Sequence, residues 1–119
     1  MTVEYRRGDV VLVRLDPAEG REIRKTRPAI VISNGVACRL DAVVQIVPVT
    51  SLPDRALRPY ESHVATTTSG LERPSRAVAN QLRTVARRRV IERLGQLDAG
   101  ELEALDRAVM IQLGFRREP

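Results

Sequence analysis

Two short stretches carry the capacity for chemistry in this chain. In EIRKTRPAIVISN, residues 22–34, the cations Arg24, Lys25 and Arg27 and the hydroxyl of Thr26 precede a proline, and an apolar run follows at once. That order reads as a basic loop clamped to a rigid strand. A guanidinium is permanently charged and can hold two phosphate oxygens in fixed geometry, which suits Arg27, at the rigid end, to an anion that gathers charge. An ion pair of Arg27 with Glu22 or Asp54 is the alternative reading. In VPVTS, residues 47–51, Thr50 and Ser51 place two hydroxyls at the end of a strand. Taken alone, a threonine before SLPD is a turn-capping group. The single cysteine, Cys38, closes no intrachain disulfide, and with one histidine, His63, there is no Cys/His cluster of zinc spacing. Metal chemistry built on those ligands is excluded.

The charge balance names the class of partner. Twenty Lys+Arg against fifteen Asp+Glu give +5, which favours a polyanion, nucleic acid first, over a merely soluble basic surface. Tyr5, Tyr60 and Phe115 are the only aromatic residues, so the stacking platforms of many single-strand binders are missing and contact must rest on arginine and polar groups. At 119 residues, 43% hydrophobic and 29% charged, the whole chain, 1–119, reads as a single domain with a modest core. The opening MTVEYRRGDV holds no apolar run suited to a signal peptide, and the longest apolar stretch, AVVQIVPV, is broken by Gln45 and Pro48. The expectation is a cytoplasmic protein without a membrane anchor.

These stretches need elements to position them. Residues 9–15, 29–33, 42–49, 61–66 and 77–85 are rich in β-branched side chains and separated by Asp16-Pro17, Asn34-Gly35, Pro53-Asp54 and Ser69-Gly70, a spacing that predicts a small barrel or sandwich. GVACRLDA reads as a turn. A turn around Arg87 to Arg89 and a last strand over 90–94 follow. Asp98 then reads as an N-cap with Glu101 three residues on, opening a helix whose Leu102, Leu105, Val109 and Leu113 share one face until Gly114. That stripe should pack on the barrel.

RRGDVVLVRLDPAEGREIRKTRPAIVISN, VPVTS, AVANQLRTV and LGQLDAGELEALDRAVMIQLG, in this order from about Arg7 to Phe115, closely resemble the MazF/PemK/Kid family of toxin endoribonucleases. The resemblance implies a mainly β fold with a C-terminal helix, an SH3-like small barrel, assembled as a homodimer that cleaves single-stranded RNA. It also implies a cognate MazE-like antitoxin whose acidic C-terminal segment lies over the RNA groove, and no cofactor or metal. The family's catalytic Ser/Thr aligns with Thr50, so Thr50 joins Arg27 as the expected catalytic pair, with Glu22, Arg24, Lys25, Thr26, Ser51 and Gln81 expected along the RNA. The chemistry needs no protein nucleophile, because the substrate's own 2′-hydroxyl can attack the adjacent phosphate. The protein must stabilise the phosphorane charge and help protons move.

The general base is unassigned. Arginine, with a pKa above ~12, is a donor rather than a base. Glu22 is a candidate by proximity, although the family's Gly-Ser-Glu reads Gly20-Arg21-Glu22 here. Asn80-Gln81 stands where the family often has an acid before the glutamine, so Gln81 is expected to read a base edge while Asn80 lacks the carboxylate. His63 is expected to be structural and Cys38 inert, and the arginines at 87–89 either extend the groove or decorate a turn. The rival readings are a CcdB-like gyrase poison, a non-catalytic nucleic-acid-binding barrel and a structural dimer module.

Overall fold

Valine, isoleucine and alanine on a period of two build the sheet, and their burial on both faces explains why its central strands read as nearly continuous apolar runs. The computed structural model describes residues 3–118. Its strands are β1 (Asp9–Arg14), β2 (Thr26–Val31), β3 (Val43–Ser51), β4 (Glu61–Val64), β5 (Ser75–Val78), β6 (Arg83–Ala86) and β7 (Val90–Gln96). A short helix α1 (Gly35–Leu40) lies between β2 and β3, and α2 (Ala99–Gln112) ends the fold. The sheet runs β4-β5-β3-β2-β1-β7, and β6 pairs with β3 off that path. Every ladder is antiparallel. No ladder joins β6 to β7 among the described residues, so the barrel-like sheet stays open along that line. The expected small β fold with a packed C-terminal helix is what forms.

Two apolar layers hold it. Val11, Val13, Ala29, Val31, Val44 and Ile46 fill one face, with Tyr5 and Cys38 at one end and Ile23 packed against them. Val10, Ile30, Val47, Val49, Val64 and Ala77 fill the other, under Leu105 of α2. The helix starts where the sequence puts it: Asp98 and Glu101 form a reciprocal capping box, and Glu101 also accepts the Ala65 amide at 2.7 Å, tying the helix to the end of β4. Leu102 and Val109 pack as expected, whereas Leu113, at the C-cap, is 55% exposed. The stripe runs past the sheet before it ends.

Two segments differ from the sequence reading. AVANQLRTV is not one strand: a 3-10 turn at Ala79–Gln81 separates β5 from β6, and both pair with β3. β3 thus serves β6 through Val43 to Ile46 and β5 through Val49 to Ser51. GVACRLDA is a helix rather than a turn, because the Asn34 side chain accepts the Ala37 amide at 3.0 Å and caps it. Gly70, at φ 78°, cannot carry a side chain, since a Cβ there would collide with the Leu94 carbonyl. Among the described residues no helix is long and apolar enough to cross a membrane.

Candidate active site

The loop from Leu15 to Lys25 is braced on every side. At its base the Leu15 amide donates to the Lys25 carbonyl at 2.8 Å, with Lys25 at φ 70°, a left-handed conformation uncommon for a residue with a Cβ. Thr26 then enters β2 opposite Arg14. Inside the loop, the Arg24 guanidinium donates to the carbonyls of Ala18 at 3.4 Å and Gly20 at 3.2 Å. The Arg27 Nε donates to the Arg24 carbonyl at 3.2 Å. From the 3-10 turn, Gln81 accepts the Ile23 amide on Oε1 at 3.2 Å and donates from Nε2 to the Arg21 carbonyl at 3.1 Å. Arg83 donates to the Leu15 carbonyl at 2.9 Å and stands 4.0 Å from Glu22. Between loop and sheet lies a cavity of about 390 Å³, lined by Glu22, Pro48, Asn80, Gln81 and Arg83 among others.

Strand register brings the two motifs together. The β2–β3 ladder runs Val31↔Ile46, Ile30↔Val47, Ala29↔Pro48 and stops there, at a residue with no N–H to give. Continuing the same count by two residues sets Arg27 against Thr50. On the other edge of β3, Thr50 pairs with Arg76, which pairs with His63 on β4. Directly opposed residues of antiparallel strands project from one face. Thr50, Arg76 and His63 therefore form a row across three strands, and Arg27 stands at its β2 end, two residues beyond the last β2–β3 pair. Arg27 and Thr50 are half-buried and His63 is exposed. No carboxylate lies within ion-pair distance of Arg27 among the described residues, and Glu22 turns to Arg83 instead. The ion-pair alternative for Arg27 is not what forms.

A buried carboxylate organises the far side of the row. Glu61, its side chain 2% exposed, receives both terminal nitrogens of Arg55 at 2.8 and 3.2 Å, the Arg58 amide at 2.7 Å and Nη1 of Arg76. Burial pushes its pKa up, but the Arg55 hydrogen bonds, the Arg58 amide and the two arginine charges outweigh that and hold it below the ordinary carboxylate value. The β3–β4 loop is thereby fastened beside Thr50.

The remaining expected residues divide. Lys25, Thr26 and Ser51 are exposed near the row, Ser51 opposite Ser75. Gln81 spends both ends of its amide on the loop backbone, so it positions the loop. His63, expected to be structural, lies at the exposed end of the row, opposite Arg76. Arg87 covers the Tyr5 ring at 4.5 Å and donates to the Cys38 carbonyl at 2.5 Å. Arg89 donates to the carbonyls of Arg14 and Asp16, so two of the three clustered arginines are braces. Burial raises the Cys38 thiol, in keeping with an inert residue. Arg76, Glu61 and Arg83 escaped the sequence reading. No motif marks them, and only the strand register reveals Arg76.

The profile of PemK-like, MazF-like toxins of type II toxin–antitoxin systems matches residues 6–113. The chain belongs to that family. Among relatives of this PemK/MazF-family chain, Endoribonuclease MazF9 of Mycobacterium tuberculosis (strain ATCC 25618 / H37Rv) is 39% identical over 113 residues, 91% of this chain and 95% of the relative. The crystal structure of MazF from Deinococcus radiodurans superimposes with a TM-score of 0.78 at 25% identity, covering 92% of this chain and 96% of the other. A mycobacterial endoribonuclease in complex with its cognate antitoxin gives 0.77 at 20% identity over 94% and 97%, a likeness of fold.

Proposed function

We propose that this PemK/MazF-family chain is the toxin of a type II toxin–antitoxin pair and acts as an endoribonuclease on single-stranded RNA. The observation that carries the reading is that Arg27 and Thr50 each lie two residues past the last bonded pair of β2 and β3, beside a braced basic loop. Family membership and 39% identity to an endoribonuclease support it. In the reaction the 2′-oxygen forms a bond to phosphorus, its proton passing to water. The bond to the 5′-oxygen breaks, and that oxygen takes up a proton. The products are a 2′,3′-cyclic phosphate and a 5′-hydroxyl. Arg27 holds the non-bridging oxygens as charge builds on them, and the Thr50 hydroxyl donates a further hydrogen bond. Arg24, Lys25 and Thr26 lie along the flanking backbone, with Ser51 at the far side of Thr50.

The same reading assigns the partners. A cytoplasmic homodimer pairs through the end of α2, where Met110, Leu113 and Phe115 are exposed, and an antitoxin with an acidic, flexible segment covers Arg24, Lys25 and Arg27. The deciding experiment is incubation of the purified protein with a long single-stranded RNA in chelator, followed by end analysis. Arg27→Ala and Thr50→Ala should each lose about 100-fold or more in cleavage, and the products should carry 5′-hydroxyls. Cleavage at the normal rate by Arg27→Ala, or no cleavage by the unsubstituted protein, would overturn the assignment.

A further inference from the structure

Arg76 faces Thr50 directly on the β3–β5 ladder, on the flank of β3 away from Arg27. Opposed Cα atoms in such a ladder stand about 4.5–5.5 Å apart, so a cationic side chain rises beside Thr50 on this flank. The charge of Arg76 exceeds what the fold uses. Arg55 already grips Glu61 through both terminal nitrogens, a bidentate pair that neutralises the carboxylate. Arg76 adds a second guanidinium to the same group and leaves the trio at a net positive charge, with the Arg76 side chain only 19% exposed. A half-buried surplus charge costs stability unless another group uses it. Hydrogen bonding shows the same surplus. The Arg76 Nε is buried with no acceptor, and among the described residues only Nη1 finds a partner, on Glu61.

We infer that Arg76 binds the RNA phosphate next to the scissile one, on a strand that crosses the sheet from β3 toward β4. The inference rests on the reading of Thr50 as the place of cleavage. Orphan donors, surplus positive charge and an adjacent reacting hydroxyl all call for the same group, a cluster of anionic oxygens. Glu61 sets which phosphate. It sits on β4 beyond Arg76 and draws the guanidinium away from Thr50, so Arg76 meets the neighbouring phosphate and acts in binding. His63, exposed opposite Arg76, marks where the track leaves the sheet.

The test measures binding of an RNA carrying a 2′-deoxy group at its cleaved nucleotide, across a salt series, for the unsubstituted protein, Arg76→Ala and Arg76→Gln. Each phosphate contact to a single strand contributes about 0.7 to the slope of log Kobs against log salt. Both variants should lose about that much slope and bind roughly tenfold more weakly at low salt. On cleavable RNA, kcat should stay within about threefold while KM rises. Arg55 still neutralises Glu61 in both variants, and Arg76→Gln keeps a donor for it, so both should melt close to the parent. Unchanged slopes in correctly folded variants would overturn the inference. So would a collapse of kcat at unchanged slope, which would move Arg76 to the reacting phosphate. Absence of RNA binding by the unsubstituted protein would sink the ribonuclease reading and this one with it.

Discussion

Gln81→Ala removes a clamp without touching the row of Arg27 and Thr50. The Gln81 amide makes two neutral hydrogen bonds to the loop, from the Ile23 amide at 3.2 Å and to the Arg21 carbonyl at 3.1 Å. Each contributes about 0.5–1.5 kcal/mol net, and because Gln81 is half-buried and water can replace it, the lower half of that range applies, about 1–2 kcal/mol together. That corresponds to about a 5- to 30-fold drop in the population of the braced loop relative to open forms. The bonds at the loop base, Leu15 to Lys25 and Arg83 to Leu15, remain, so only the outer part should loosen. Amide hydrogen exchange reads this directly. The Ile23 amide should exchange faster by about that factor, while core amides such as Val31 and Ile46 keep their protection. RNA cleavage should fall by no more than the same factor. Unchanged exchange at Ile23 together with a large loss of cleavage would refute the clamp and restore Gln81 to a direct contact with RNA.

Glu61→Gln should destabilise the protein by about 3 kcal/mol at neutral pH, since it leaves two arginines short of a buried carboxylate. The folded pKa of Glu61 lies below its unfolded value, so its contribution is complete above about pH 4.5 and fades as pH falls through the folded value. Urea titrations from pH 7 to 3 should therefore show parent and variant converging in acid. Lys25→Gly relieves a positive φ and should raise stability by about 1 kcal/mol in thermal melts, even as it removes a loop cation. Asp98→Ala breaks the capping box of α2 and should cost about 1 kcal/mol in the same assay. The buried Cys38 thiol should react with an alkylating agent only at the rate of unfolding, and alkylation as fast as a free peptide thiol would contradict its placement.

Much of the fold was legible because local signals agree with the global arrangement. The period-two runs mark β1, β2 and β3, and the pair Asp98 and Glu101 marks α2 within a residue. Helix α1 was hidden, because Asn34-Gly35 is equally a turn signal and six residues give too little periodicity to choose. The break at Asn80 was hidden too, since VANQL continues an alternating pattern that only the chain's need to reach two stretches of β3 interrupts. In the site, Arg27 and Thr50 could be named separately from their motifs. Their meeting is a fact of register, which depends on where each strand begins to pair. The line from Thr50 through Arg76 to His63 could not be read at all, because an arginine and a histidine in short strands look like solvated surface until their partners across the sheet are known. The bonds of the Gln81 amide to the loop backbone were hidden as well, since they rest on where an amide points.

β3 is bonded to β6 through its first half and to β5 through its second, and to β2 from Ile46 to Pro48. A gene encoding such a strand has unequal tolerance for changes in length. Codons added or lost over Leu52 to Asp54, ahead of the Arg55 clamp on Glu61, alter a loop without turning any strand over. A single codon gained or lost between Val43 and Thr50 would turn every later side chain of the strand over, exchanging Val49 with Thr50 and burying a hydroxyl where a valine belongs. Lineages of this protein should diverge by insertion in the loops and by substitution alone along β3.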